Sequence, residues 1–277
     1  MEEGLGGGEK EKELLKGCKE GNISLVNDLL QFNPHINLNF GDPTYFNFTS
    51  LMYACENGHL EIVELLLLNS KRLNLNLQDG FGSTAFYCAC WYEQVEIVRL
   101  MLKYENLDVN KPEKNSYTPL MIACENGHFE IVDLLLRDTR VDPSLEDNEG
   151  QTAFYIACGH GKIKVVALLL EIGNVNVNTP NSNYWTPLMV ACYRGYLEIV
   201  QLILANQNGV NVNTKDRDGK TPIDISRSSL EYEDWENEEG FNRRKMNCSN
   251  IIALLESFEK NPNETRARLR IQLSLPG

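Results

Sequence analysis

The chain has 277 residues, with 26 Lys and Arg against 39 Asp and Glu, so its formal net charge is −13. This acidic balance argues against a protein that binds phosphate backbones or anionic membranes, because both need clustered Lys and Arg. Hydrophobic residues make up 42% of the chain, which is typical of a folded domain and excludes full disorder.

The N-terminal segment, residues 1–13, is rich in Gly and charge and lacks the apolar stretch of a signal peptide. No later stretch approaches the length of apolar run that spans a bilayer. The sequence therefore predicts an intracellular protein, in the cytoplasm or the nucleus. Residues 1–12 are expected to form a disordered tail.

Five similar segments then follow one another at steps of 35, 34, 34 and 34 residues. They begin at Thr49, Thr84, Thr118, Thr152 and Thr186. The copy TPLMIACENGHFEIVDLLLR, which starts at Thr118, shows the pattern. A weaker copy covers residues 14–31, and a truncated one begins at Thr221 and resumes at Ile251.

Each copy predicts a helix, a turn and a second helix. The Thr is suited to cap the first helix, and Pro follows it at Pro119, Pro187 and Pro222, where a missing N–H costs nothing. A Gly then permits a left-handed turn, except in the second copy, where Glu93 and Gln94 replace Gly-His. The second helix carries an apolar face that only stacking on neighbouring units would bury.

This pattern resembles the ankyrin repeat, T-P-L-H-x-A-A-x-x-G-H-L-E-I/V-V-x-L-L-L. The resemblance covers about residues 14–260 and implies an all-α solenoid of helix–turn–helix units with projecting β-turn connectors. The family's His is replaced at Met52, Tyr87, Met121, Tyr155 and Met189. We therefore expect its hydrogen bond to be missing, except where a Tyr hydroxyl substitutes.

The expected organisation is a tail at 1–12, an N-terminal capping repeat at 13–40, repeats 1 to 5 at 41–76, 77–110, 111–144, 145–178 and 179–213, a C-terminal repeat at 214–260 with an acidic insertion at 228–247, and a basic C-terminal tail at 261–277. The insertion is interpreted either as a solvated segment or as an acidic docking element for a basic partner. The tail, with Arg266, Arg268 and Arg270, is expected to cap the array or to fray, with a partner-induced helix as the alternative.

Six of the eight cysteines occupy one equivalent position in successive units: Cys18, Cys55, Cys90, Cys124, Cys158 and Cys192. Neighbouring helices lie about 8–10 Å apart, whereas a disulfide needs Cα atoms within about 7 Å. We therefore expect eight free thiols, of which the six in register serve as small buried hydrophobes.

The resemblance implies that partners bind the connector tips and the exposed face of the first helices. Ten aromatic residues fall at or beside those positions, although aromatics form only 9% of the chain. The predicted partner-binding residues are Trp91, Tyr92, Phe81, Tyr117, Trp185, Tyr193, Arg194, Tyr45 and Phe48. Packing between turns is an equal alternative for Tyr45 and Phe48, and for Phe46 beside them. For Trp91 and Tyr92 a binding role is favoured over packing, because the adjacent Glu93 must adopt a turn that Gly adopts in other repeats.

No convergent catalytic or metal-ligating set is visible, since the four histidines are single or occupy repeat positions. The sequence therefore predicts a non-enzymatic protein-interaction module, an adaptor or scaffold, with no cofactor and no metal. It is expected to be a monomer that binds another protein. The alternatives are a nucleic-acid or lipid-surface binder that uses the basic tail, or a purely structural spacer.

Overall fold

The computed structural model describes residues 8–172, 175–207, 209–231 and 238–275, except for the side chains of 238–241. Within these residues the chain forms fifteen helices and one antiparallel pair of short strands. The first seven helices are α1 (Glu9–Glu20), α2 (Ile23–Phe32), α3 (Ser50–Glu56), α4 (Leu60–Leu67), α5 (Ala85–Trp91), α6 (Val95–Met101) and α7 (Pro119–Asn126). The others are α8 (Phe129–Arg137), α9 (Ala153–Gly159), α10 (Ile163–Ile172), α11 (Pro187–Arg194), α12 (Leu197–Ala205), α13 (Pro222–Ser229), α14 (Glu238–Lys260) and α15 (Pro262–Gln272). The strands are β1 (Gly41–Asp42) and β2 (Phe48–Thr49).

The chain divides into two compact units: unit 1 comprises Met1–Ala123 and Glu130–Asp142, and unit 2 comprises Cys124–Phe129 and Pro143–Gly277. In unit 1, α3 packs between α1 and α5, and α4 packs between α2 and α6. In unit 2, α11 packs between α9 and α13, and α12 packs between α10 and α14. Each unit therefore has a layer of first helices and a layer of second helices, which confirms the predicted all-α architecture of helix–turn–helix pairs.

The predicted Thr caps are present, and one expectation about them is wrong. Thr186 Oγ1 accepts a hydrogen bond from the Met189 backbone N–H at 3.3 Å, and Thr84 accepts one from Tyr87 N–H at 3.0 Å. The Thr186 backbone N–H in turn donates to the Met189 sulfur at 3.4 Å, and Thr49 donates to Met52 at 3.3 Å. A thioether is a weak acceptor, but it occupies the place of the missing His. In those repeats the backbone N–H groups of the Thr cap and of the Met three residues later are therefore both satisfied.

Asn side chains in the connectors join successive repeats. The Asn39 amide donates to the Arg72 carbonyl at 2.9 Å and accepts from Asn74 N–H at 2.7 Å. Asn76 repeats this arrangement with the Asn106 carbonyl at 2.9 Å and Asp108 N–H at 2.8 Å. The Asn-rich connectors are therefore more than turn formers, because their amides satisfy backbone groups of the next connector.

All eight cysteines are unbridged, as predicted, and all eight are buried. The six that share one repeat position have no accessible surface. Burial disfavours the thiolate and raises the pKa of Cys18 and of Cys192 to about 12. These thiols act as packing groups at neutral pH.

The structure differs from the expected boundaries at both ends. Helix α1 begins at Glu9, because Leu14 and Leu15 anchor it and Glu9 and Glu11 suit its N-terminus, so residues 9–12 do not belong to a disordered tail. Helix α14 begins at Glu238, inside the expected insertion 228–247, and residues 232–237, with three of the six acidic residues of 228–240, lie outside the described residues. Residues 262–272 form α15, which packs on α12 and α14 and buries Leu269, so the basic segment caps the array, the first of its expected alternatives, and does not fray.

Candidate functional site

Each connector tip is built around one polar side chain that accepts backbone hydrogen bonds. Asp79 accepts from the N–H groups of Phe81 and Ser83, both at 2.8 Å. In unit 2, Asn181 accepts from Asn183 and Trp185, both at 3.0 Å. This turn fixes the residue two positions after the acceptor at the tip. It explains locally why Phe81 projects outward.

In unit 1 the aromatic side chains of two neighbouring connectors meet. The Phe46 and Phe81 rings lie 4.3 Å apart, and they are 55% and 52% exposed. Phe46 and Asn47 have φ values of 50° and 60° in the turn between β1 and β2. Consecutive left-handed residues with side chains are costly, so packing and hydrogen bonding must hold this tip in place. The carbonyl of Phe46 accepts the Gly80 N–H, which joins the two connectors.

Trp91 and Tyr92 lie at the end of α5, and their stacked rings are 6.1 Å apart. They are 47% and 46% exposed. Glu93 has a φ of 58°, which confirms that a residue with a side chain makes the turn reserved for Gly in other repeats. The Gln94 amide donates to the Glu56 carbonyl at 3.2 Å and so stabilises that turn.

Tyr45 is 47% exposed and stacks on Tyr53 with ring centroids 6.1 Å apart. Phe48 is only 6% exposed and packs edge-on against Tyr53 at 4.8 Å. Phe48 therefore supports the surface from below, whereas Tyr45 contributes to it. We name the set Tyr45, Phe46, Phe81, Trp91 and Tyr92 the unit-1 aromatic surface.

Two carboxylates border the unit-1 aromatic surface. Tyr53 Oη donates to Asp42 at 3.0 Å, and hydrogen bonds from Thr44 hold the pKa of Asp42 below its usual value. Burial, together with the charge and hydrogen bond of Glu56, raises the pKa of Tyr92 to about 12. Both phenols are therefore protonated donors at neutral pH. Sequence reasoning missed Asp42 and Tyr53, although the D-x-T turn at Asp42 was a visible signal.

In unit 2 the candidate aromatics already contact cations of the chain. The Tyr193 ring lies 5.5 Å from Trp185, with the guanidinium carbons of Arg194 at 5.9 Å and Arg244 at 5.7 Å. Tyr193 and Trp185 are half-buried, and Arg194 is exposed. In unit 1, Tyr117 is half-buried as well. The nine predicted residues thus divide into six in unit 1 and three in unit 2.

Two histidines outside these surfaces make structural contacts. The His59 imidazole pairs with the Lys19 carbonyl at 3.3 Å, in the position that the Gln94 amide takes one repeat later. The His160 ring lies 3.9 Å from a Glu125 oxygen. Across the described part of the chain, no group of three or more His, Cys, Asp or Glu side chains is placed to hold a metal ion.

The arginines of α15 face the protein as well as solvent. Arg266 lies over the Phe258 ring at 5.4 Å, and Arg270 donates to the Ala205 carbonyl at 3.3 Å. These contacts tie the basic helix to unit 2, so the geometry does not favour it as an independent polyanion-binding tail. Of the helices described, none is long and apolar enough to cross a membrane.

Comparison with known proteins places this geometry in context. The family model described as ankyrin repeats in three copies matches residues 14–113, 51–147, 107–181, 139–216 and 173–229. Among solved structures, the ankyrin repeat domain of Bcl-3, a member of the IkappaB protein family, is 22% identical with a TM-score of 0.69; the match covers 83% of this chain and 96% of that one. The human ASB11 ankyrin repeat domain is 21% identical with a TM-score of 0.65, over 84% and 96%. No curated protein matches the chain. At these identities the structural matches establish the fold.

Proposed function

Because the chain belongs to the ankyrin-repeat family, whose domains are protein–protein interaction modules, we propose that it is a non-enzymatic adaptor or scaffold. Its partner binds the unit-1 aromatic surface, which Phe48 supports from below, and Tyr117 is a further candidate contact in unit 1. Trp185, Tyr193 and Arg194 form a second candidate contact in unit 2. The observation that carries the proposal is the exposure of five aromatic side chains in unit 1, each at 46–55%.

Exposed aromatic residues that adjoin one another are unusual on a monomer and usually mark an interaction surface. Trp and Tyr are also enriched among residues that dominate binding energy. The left-handed residues Phe46 and Glu93 add support, because strained backbone at a surface is retained where it positions something. Burial keeps the cysteine thiols protonated, which supports a role without nucleophilic catalysis.

The proposal is tested by affinity capture with the full chain and three variants. W91A/Y92A removes the stacked pair, and F81E places a charge at an exposed connector tip. F32A is the matched control, because it removes an aromatic side chain that is 71% exposed on α2, outside the surface. We expect F32A to capture the same proteins as wild type, and the other two variants to lose at least nine-tenths of one of them.

Thermal unfolding accompanies each capture experiment. A captured protein must then bind the purified chain in a two-component assay with the same ranking of variants. Equal binding by wild type, F81E and W91A/Y92A would refute the proposal and favour a structural spacer. A large loss of stability in W91A/Y92A with unchanged binding by F81E would assign Trp91 and Tyr92 to packing.

We further propose that the protein is monomeric and intracellular, in the cytoplasm or the nucleus. Eight unbridged cysteines suit a reducing compartment. Light scattering after size-exclusion chromatography would test the monomer, and cell fractionation would test the location. Binding to nucleic acid or lipid through α15 would instead show a steep loss of affinity with salt and a dependence on Arg266 and Arg268.

A further inference from the structure

The chain itself shows what kind of group its aromatic positions accept. Tyr193 and Trp91 are both the seventh residue after a Thr N-cap, so they occupy the same position in different repeats. At Tyr193 that position is flanked by two guanidinium groups, from Arg194 at 5.9 Å and from Arg244 at 5.7 Å. Arg217 lies over Tyr184 at 5.9 Å in the same unit. Unit 2 thus supplies its own cations to these rings.

Unit 1 contains the same chemistry beside its aromatic surface. The Lys19 ammonium lies 5.2 Å from the Tyr53 ring centroid, and its charge helps to hold the pKa of Asp42 low, after the hydrogen bond from Thr44. A cation is therefore accommodated where a ring and a carboxylate lie together. Trp91 and Tyr92 present the same pair of features, with Glu56 as the carboxylate.

We propose that the unit-1 aromatic surface recognises a basic segment of a partner protein, whose Arg or Lys side chains lie over Trp91 and Tyr92 and are neutralised by Glu56. This inference rests on the proposed function and names its partner class. A guanidinium over an aromatic face is attracted by the ring quadrupole, and Trp is the best such face. A nearby carboxylate strengthens the contact, and the net charge of −13 favours the approach of a basic segment.

The arrangement also disfavours other partner classes. Polyanions such as nucleic acids would be repelled by Asp42 and Glu56. A purely apolar helix would bury the Glu56 carboxylate without supplying a counter-charge, and that is costly. A basic segment satisfies both the exposed rings and the Glu56 carboxylate.

The test uses a display library of random 12-residue peptides selected on the wild-type chain, and then counter-selected on W91A/Y92A. Peptides that need the surface are expected to be enriched in Arg and Lys. The strongest binder is then resynthesised with each Arg replaced by citrulline, which has the same shape without the charge. Affinity should fall at least tenfold, and E56Q should weaken the Arg peptide several-fold and flatten its salt dependence.

The possible outcomes distinguish failure of this inference from failure of the proposed function. Surface-dependent peptides without enrichment in Arg or Lys, or equal affinity for the citrulline peptide, would overturn the inference and leave the proposed function standing. No surface-dependent peptides would overturn the inference, and unchanged capture by F81E and W91A/Y92A would then remove the proposed function as well. If W91A/Y92A unfolds, F81A at the exposed tip replaces it in the counter-selection. Y184A in unit 2 is the matched control and should bind like wild type.

Discussion

Replacing Arg140 should cost far more stability than replacing Arg137, although both arginines lie at the end of α8 or just after it. The Arg140 guanidinium donates to the Leu102 carbonyl at 2.7 Å and to the Tyr104 carbonyl at 2.9 Å. These carbonyls lie in the segment that follows α6, where the Tyr104 carbonyl also accepts the Leu107 N–H at 3.2 Å. Arg137 pairs with Asp133 at 2.8 Å on the same helix and is 71% exposed, whereas Arg140 is 32% exposed.

The magnitudes follow from these contacts. R140M removes two hydrogen bonds from a charged donor to half-buried carbonyls, at about 1–1.5 kcal/mol each after allowance for partial exposure, so these bonds account for about 2–3 kcal/mol. It also removes the pair with Asp138, which adds up to about 1 kcal/mol at neutral pH. R137M removes an exposed pair four residues apart, which is worth about 0.3–0.5 kcal/mol. The melting temperature should fall by about 5–10 °C in R140M and by about 1 °C in R137M.

The assay is urea and thermal unfolding followed by far-ultraviolet circular dichroism on both variants in parallel. Hydrogen exchange in the segment after α6 should also accelerate in R140M alone. If R140M and R137M lose the same unfolding free energy to within about 0.5 kcal/mol, the reasoning is refuted, because the carbonyl contacts of Arg140 then add no measurable stability.

Four further results are expected. The hydrogen bond from Arg140 lowers the pKa of Asp138 below its unfolded value. The stability that this pair adds is therefore present above about pH 4 and is lost as the pH falls through the lowered pKa. The difference in unfolding free energy between wild type and R140M should accordingly narrow in acid. The six cysteines in register should react with a thiol reagent more than tenfold faster in urea than in native buffer. Rapid labelling of the native protein would contradict their assignment to one buried position of the repeat. G161A should destabilise more than G209A in thermal melts, because both residues have φ near 70° but only at Gly161 would the new Cβ meet a ring, that of Tyr196 at 3.0 Å; equal losses would leave backbone strain as the sole cause. N76A should lower stability by about 1–2 kcal/mol through its two lost connector hydrogen bonds, and a loss under 0.3 kcal/mol would make that amide redundant.

The sequence predicts the helices well because their ends are encoded locally. A Thr cap and a turn Gly place α3 and α11 within a residue or two. The start of α14 is missed because residues 238–250 lie outside the repeat register, from which the other second helices are placed. The sulfur acceptor of Met52 is missed because its role depends on a 3.3 Å approach that the residue type does not reveal.

The candidate surface is less predictable than the fold. Phe46 and Phe48 are two residues apart and equally aromatic, yet one is 55% exposed and the other is 6% exposed. The difference arises from two consecutive left-handed residues at the hairpin tip, which turn Phe46 outward while β2 turns Phe48 inward. Sequence reasoning leaves packing and binding equally open here because side-chain direction follows from those backbone angles.

The repeats give each aromatic residue the same place in its unit, but the neighbours decide what that residue does. Trp91 and Tyr193 share one position after a Thr cap. At Tyr193, α14 brings Arg244 to the ring, and the Asn247 amide of the same helix donates to the Gly195 carbonyl at 3.1 Å. The ring there is part of the packing between α11 and its capping helix. At Trp91 the ring is 47% exposed beside Tyr92 and above a turn that lacks Gly. A position that the repeat makes available therefore contributes to internal packing in unit 2, whereas in unit 1 its side chain is left about half exposed on the surface.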